Sequence, residues 1–511
     1  MSSLRWPAFL ALLLVLAGSF RIASTWSVFN HTIDEPDTLA AGMEYLTIGR
    51  YLYEDTHPPL GRVLAALGPY LAGERFQEGS DSYHEGYRIL GHGAHYAHIL
   101  SLGRAGNLVF FWIASLVVYL WGLRAGGPKA ALIATLLFTT LPPILAHAGL
   151  MTTDFALCAM TSAAALASLH WADLPNRGRS VLLGVSIALA FVSKFSALLY
   201  LPSAWLVMCA YHLAATRQGP AALLGELWSH RRRIALVAGT AALAIWAVYG
   251  FTFARVDFLH LRLPAPRFFS GIHSVWLHNQ RGHPAYLLGQ RSPNGFWYYF
   301  PTVLALKTPL AMLGLLSISP WLPKSRRHAA LAGAFSLGIV LISMRGHIDL
   351  GVRYLLPVYT GFAVVCGCAA AGARSWLAKS AVALLIAWQM VSGALSHPDY
   401  LAYTNEIAGS HPENFLADSD LDWGQDMKRL AAFLEQHHAT EVTFVPFNRT
   451  YGTLAGDAFP PMHLGDPAHP SPGWNAVSVS IWKIFDTPTW PNGQPQPQAR
   501  IGRSILLWYF P

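Results

Sequence analysis

The sequence is poor in charge. Asp, Glu, Lys and Arg make up only 12 % of its 511 residues, about half the share of an average soluble domain. So few charges cannot cover the surface of an ordinary soluble enzyme of this length. Cysteine is equally scarce. Cys158, Cys209, Cys366 and Cys368 all fall inside apolar runs, so neither a disulfide framework nor a zinc-ligand spacing is readable. A Gly-rich loop ending in Lys-Ser or Lys-Thr is also missing, so no nucleotide cofactor is expected. What the chain has in excess is apolar surface, at 53 % hydrophobic residues. It reads as a protein that lives in a bilayer. The net charge of +8 does not indicate nucleic acid, because the basic residues sit in short loops between apolar runs, where they orient membrane spans.

Apolar runs long enough, or nearly so, to cross about 30 Å of hydrocarbon occur at 5–22, 105–122, 130–147, 155–171, 181–193, 196–213, 234–252, 297–319, 329–344, 354–372 and 380–395. The expected fold is an α-helical polytopic membrane protein of about eleven spans, the first an uncleaved span and not a signal peptide. Lys194 parts two short runs, and loop charge decides that they are separate spans. Only then do five basic clusters share one side: Arg124 with Lys129, Arg177 with Arg179, Arg217 with Arg231–Arg233, Lys324 with Arg326 and Arg327, and Arg374 with Lys379. The opposite, external face receives a first loop at 24–103, a turn at 148–154, the Lys194 turn, a second loop at 253–296, the segment 345–353 and a tail at 396–511.

The division expected is thus a membrane domain at 1–395 and an external domain at 396–511. In the tail, a helical pattern at 425–437 and β-rich runs at 441–447, 476–485 and 503–510 predict a small α/β domain. In the first loop, the Pro-flanked apolar stretch 58–72 predicts an amphipathic segment lying in the membrane interface.

The charged residues left on the external face are the candidates for chemistry. Asp34 and Glu35 follow the first span closely. Either can take a proton from an acceptor hydroxyl, or the pair can simply start a helix. Asp154 opens a span, where it suits the helix dipole, and it shares a face with Asp34. The two can divide base and positioning roles, or share a divalent cation. Two prolines direct His57 and Arg62, and Arg62 can meet a lipid phosphate or anchor at headgroups. Lys194 offers a point charge to a phosphate, or snorkels. Lys307 lies well inside a span, where a lysine is costly unless functional or paired. Arg345, Asp349 and Arg353 are spaced to stack as a cation–anion–cation ladder if helical, with His347 between them, although Gly346 and Gly351 oppose a helix. The tail run Asp418–Asp426 fails as an EF-hand at Trp423 and Arg429 and reads as the cap of the following helix.

Taken together, Asp34-Glu35, HPPLGR at 57–62, HAGLMTTD ending at Asp154, SKFSAL at 193–198, YYFPTVLALKTP at 298–309 and RGHIDLGVRYLLPVY at 345–359 resemble the polyprenyl-phosphate-sugar-dependent membrane glycosyltransferases. That group includes protein O-mannosyltransferases and lipid A aminoarabinose transferases, and the tail motif HPDYLAYTNEIAG–DSDLDWGQDMKRL is similar to a bacterial branch of it. The resemblance implies a GT-C-like fold in the bacterial plasma (inner) membrane, with the active site and tail facing the periplasm. It implies a lipid-phosphate-linked sugar donor and a protein, lipid or glycan acceptor. It assigns catalysis to Asp34 with Glu35, support to Asp154, and donor-phosphate binding to Arg62, Lys194, Arg345 and Arg353. His57, Lys307, His347 and Asp349 are further candidates. A divalent ion is an open question, with Asp34 and Asp154 as its ligands if one binds. The rival reading from the residues is a transporter or flippase for an anionic or lipid-linked substrate, which predicts charges inside many spans and repeated halves.

Overall fold

A computed structural model of the chain describes residues 2–51, 53, 55–79, 81–321, 326–447, 460–466, 469–484 and 496–511. Helices fill the chain up to residue 395. They are α1 (Ser2–Ala23), α2 (Asp34–Ile48), α3 (Pro59–Leu71), α4 (Ser82–Leu90), α5 (Gly93–Gly126), α6 (Pro128–Thr139) and α7 (Pro142–Ala148). There follow α8 (Thr153–Asp173), α9 (Arg177–Phe191), α10 (Ala197–Thr216), α11 (Pro220–Ser229), α12 (Arg231–Val248) and α13 (Pro266–Arg281). The rest of this part is α14 (Tyr299–Lys307), α15 (Leu310–Ile318), α16 (Arg326–Ser343), α17 (Leu356–Gly372) and α18 (Trp376–Leu395).

All eleven apolar runs fall on helix, but two are bent. The run 130–147 breaks by 67° between α6 and α7, and 297–319 breaks by 107° between α14 and α15. Pro142 and Pro309 stand at these breaks, where a missing N–H and a clash with the preceding turn end a helix. By length and apolarity alone, six of the described helices qualify as spans, or eight if each bent pair counts once. The expected eleven exceeds this count. The helix α9 has only 15 residues, α12 opens with three arginines, and the apolar part of α16 runs only from His328 to Ser343. Lys324 lies outside the described residues.

The core is where α5, α6, α8 and α17 meet, around the buried rings of Phe110, Phe111, Trp121, Phe138, Phe155 and Tyr359. Small residues bring the helices together, as is usual where lipid removes the hydrophobic drive for association. A Cβ on Gly367 would stand 2.6 Å from the Ala130 carbonyl oxygen, and one on Gly338 would stand 2.6 Å from Ala204 Cα.

The first loop is a folded layer. Its α3 was expected in the membrane interface, and its Leu67 and Leu71 are exposed. Its other face is clamped between α2 and α5. A Cβ on Gly42 would lie 2.0 Å from the Arg62 carbonyl oxygen, and one on Gly106 would lie 2.0 Å from that of Leu64.

The second loop forms two antiparallel hairpins around α13. They are β1 (Phe253–Val256) with β2 (Leu261–Pro264), and β3 (Ala285–Leu287) with β4 (Gln290–Ser292).

The tail holds α19 (Met427–Gln436) and α20 (Val479–Ile484), with β5 (Val442–Val445), β6 (Met462–Leu464), β7 (Gly473–Ser478), β8 (Ala499–Ile501) and β9 (Ile505–Phe510). These strands form one sheet in the order β6-β5-β7-β9-β8, parallel among the first three and antiparallel after. The strand expected over 476–485 stops at Ser478 and turns into helix. Asp422 takes hydrogen bonds from both the Ser478 hydroxyl and the Ser480 amide there, which pins the chain out of the sheet. The short edge strands β6 and β8 give no sequence pattern of their own.

Candidate active site

Two polar residues on α5 build the floor of the site. Arg104 is buried and grips Glu35 with two hydrogen bonds of 2.8 Å, from Nε and Nη2, and Nη2 also reaches the Asn30 carbonyl at 2.8 Å. One turn on, Asn107 donates to the Leu150 and Thr152 carbonyls at 3.0 and 2.9 Å. Glu35 itself accepts from the Met151 amide at 3.0 Å and reaches back to the Thr32 amide at 2.7 Å, as the acidic member of a capping box does. The loop before α2 and the turn before α8 are therefore fixed to each other. Burial alone would push the Glu35 carboxyl up, but the Arg104 charge and its hydrogen bonds prevail and hold it below the usual carboxylate range.

That framework brings Asp34, Asp154, Lys194 and Arg353 together. Arg353 Nη1 donates to Asp34 Oδ2 at 2.8 Å and lies 3.7 Å from Asp154 Oδ2. The other Asp154 oxygen accepts from Lys194 Nζ. The result is a line of alternating charge in which Asp154, Lys194 and Arg353 are almost fully buried, while the Asp34 side chain keeps 36 % of its surface exposed. The Lys194 ammonium also sits 4.0 Å from the centroid of the Tyr354 ring. It is not snorkelling. Among the described residues, Asp34 Oδ1 and Arg353 Nη2 have no hydrogen-bond partner. An open carboxylate oxygen thus stands beside an unengaged guanidinium N–H pair.

The tail closes the site from above. The Trp423 ring lies under the Arg353 guanidinium, 4.4 Å from centroid to Cζ, and is itself buried. Asp420 accepts from the Val352 amide at 2.9 Å, and Ser419 donates to the Leu350 carbonyl at 2.8 Å. Gly351 is required where this strap crosses. Its φ is +82°, and a Cβ would come within 2.9 Å of the Ser419 hydroxyl oxygen. On the other side, Ile33 and Asn30 donate from their amides to the Trp423 and Gln425 carbonyls. The run 418–426 was expected to cap the next helix. It does not cap it: the Asp426 carboxylate bonds to Ser504 and Arg429, and the Met427 amide that opens α19 donates to Asn30 Oδ1 instead. Of the run's acids, Asp420 ties the tail to the membrane part, Asp422 holds Ser478 and Ser480, and Asp426 holds Ser504 just before β9. Burial pushes Asp422 up to about 6 and Asp426 up to about 7.

The remaining candidates stand apart from the four. Glu35 has both oxygens occupied and is fully buried. Arg62 is buried, donating to the His57 carbonyl and facing the Tyr51 ring at 5.9 Å, and His57 shares a hydrogen bond with Thr56. The ladder of Arg345, Asp349 and Arg353 does not form, because residues 344–350 are not helical and Gly351 adopts a left-handed φ. Arg345 is exposed, Asp349 accepts from the Phe296 amide at 2.6 Å, and His347 Nδ1 donates to the Asn294 carbonyl at 3.3 Å. Burial raises Asp349 to about 6. Lys307 meets no carboxylate. It donates to the Leu401 and Asp420 carbonyls at 2.7 and 2.6 Å, tying the tail to α14. Among the described residues no group of three or more His, Cys, Asp or Glu is arranged to hold a metal. The position a cation would take between Asp34 and Asp154 is filled by the Arg353 guanidinium, so these two do not form an ion-binding pair as arranged.

Residues 11–261 match the family model described as dolichyl-phosphate-mannose-protein mannosyltransferase. No curated protein sequence matches the chain. Among solved structures, ArnT from Cupriavidus metallidurans bound to undecaprenyl phosphate superposes with a TM-score of 0.53 over 97 % of both chains, at 14 % identity. The apo form of ArnT gives 0.53 at 13 % identity, over 99 % of this chain and 98 % of that one. The chain has the fold of the GT-C membrane glycosyltransferases. Within this GT-C fold, sequence reasoning missed Tyr354 and Trp423 at the site. Tyr354 is one aromatic at the start of an apolar run and Trp423 one aromatic among acids of the tail, so neither carries a spacing signal, and only the tertiary contacts give them meaning.

Proposed function

We propose that the chain transfers a sugar from a polyprenyl-phosphate-linked donor to an acceptor hydroxyl or amine at the external face of a bacterial inner membrane. One observation carries this reading: the half-exposed Asp34 carboxylate stands beside the buried Arg353 guanidinium, which has donors to spare. Asp34 would take the acceptor's proton as its oxygen or nitrogen attacks the anomeric carbon. The bond from that carbon to the donor phosphate breaks, and the phosphate leaves with the bonding pair. Arg353 would meet the departing charge, with Lys194 behind it, in a site largely dry and already oriented. Asp154 keeps both cations in position. The undecaprenyl phosphate named with ArnT supports a lipid phosphate as the leaving group, and the family model supports a sugar donor of this class. The line of charge sits at one rim and not along many spans, which favours transfer over transport.

The test uses the purified full-length protein with a radiolabelled polyprenyl-phospho-sugar. Asp34→Asn should lower transfer or donor hydrolysis by about 10²-fold or more, the usual worth of a general base. Asp173→Asn, which loses only an exposed pair with Arg124 at the other end of α8, should leave the rate intact. Equal rates in Asp34→Asn and the unaltered protein would exclude the assignment.

A further inference from the structure

The second loop carries a feature for which sugar transfer has no use. In the β1–β2 hairpin, Arg255 lies directly opposite Arg262 and Phe253 directly opposite Pro264. Opposed residues of an antiparallel pair project from the same face, so two guanidinium groups and an apolar pair share one side. All four residues are exposed. The alternate positions point the other way, where Val256 is buried and the strand packs on α13.

Like charges placed directly opposite destabilise a ladder. Among the described residues neither arginine has a carboxylate partner, and Arg255 meets only His260 of its own hairpin, at 3.1 Å. An anion from outside the chain would relieve that repulsion. The pair's surroundings say which kind. Phe251, just before β1, is also large, apolar and exposed, and the chain enters β1 directly from α12. That helix buries little beyond Val237 and Ala241, leaving an apolar surface suited to lipid. Aromatic and aliphatic side chains next to arginines at the end of a membrane helix match the layering of acyl chains and phosphates.

We propose that the outer face of the β1–β2 hairpin seats in the headgroup layer of the bilayer. Arg255 and Arg262 share the phosphate of an anionic phospholipid, while Phe251, Phe253 and Pro264 enter the acyl boundary. A guanidinium fork suits phosphate oxygens better than an ammonium does. Binding here is separate from the sugar-transfer site and does not depend on that reading.

The test incubates full-length protein in neutral detergent with equimolar phosphatidylglycerol and phosphatidylcholine, and counts retained lipids by native mass spectrometry. The unaltered protein should retain phosphatidylglycerol in preference by roughly fivefold or more. The double variant Arg255→Gln/Arg262→Gln should lose most of that preference. Arg262→Glu should lose it too, yet melt no lower than the unaltered protein, because it converts a like-charge cross-strand pair into an opposite one. Two results would overturn the proposal: no preference in the unaltered protein, or an undiminished preference in either variant.

Discussion

Asp34 and Glu35 are neighbours with opposite fates. The first turns its open oxygen outward beside Arg353, and the second is consumed by Arg104 and two backbone amides. Their substitutions should separate accordingly. Glu35→Gln leaves the Arg104 charge buried without its counter-ion, which typically costs about 3–5 kcal/mol. A thermal melt in detergent should fall steeply for Glu35→Gln and hardly move for Asp34→Asn, whereas transfer activity per folded molecule should fall most for Asp34→Asn. From the sequence, both halves of this pair were visible as costly acids near a span, but not which would do which. The contact with Arg104, 69 residues away, is a tertiary fact. Asp154, Lys194 and Arg353 were legible for a simpler reason. Each is a lone charge at the end of an apolar run, and loop parity put all three on Asp34's face.

At the scale of elements, the helical ladder expected over 345–353 failed because spacing implies stacking only if the backbone is helical. Gly346 and Gly351 already stood against that. Lys307 was legible as unusual, but its partners are carbonyls from residues 401 and 420, which no periodicity could name. The clamp on α3 yields a further prediction. Gly42 faces the Arg62 carbonyl with no room for a side chain. Gly42→Val should push α3 away from α2 and cost about 1–3 kcal/mol, the usual penalty of overpacking, read as lost yield and an earlier melt. Gly225→Val, at a glycine with open space around it, is the matched control and should change neither.

Across the whole molecule, the tail docks on the membrane part through a polar seam, and the buried acids that hold the tail together behind that seam should feel pH. Burial raises Asp422 to about 6 and Asp426 to about 7 from an ordinary 3.8. Such acids bind their proton more tightly when folded, so their contribution is fully present below the unfolded value and is lost as pH rises through the folded one. Glu35, shifted the other way, is constant in the window above its ordinary range. Between about pH 5 and pH 7 the tail should therefore become easier to cut by protease, and Asp426→Asn should flatten that dependence while keeping a partner for Ser504.

The position of β9 has a consequence for how the protein matures. Residues 505–510 form an inner strand of the tail sheet, and Ser504 just before them holds Asp426, three residues past Trp423. The ring that supports Arg353 is thus steadied by a stretch made after all the membrane helices described above. A nascent chain would have its bilayer-embedded helices inserted and its acids in place well before the arginine has its aromatic seat. That seat would be completed only when β9 has paired with β7.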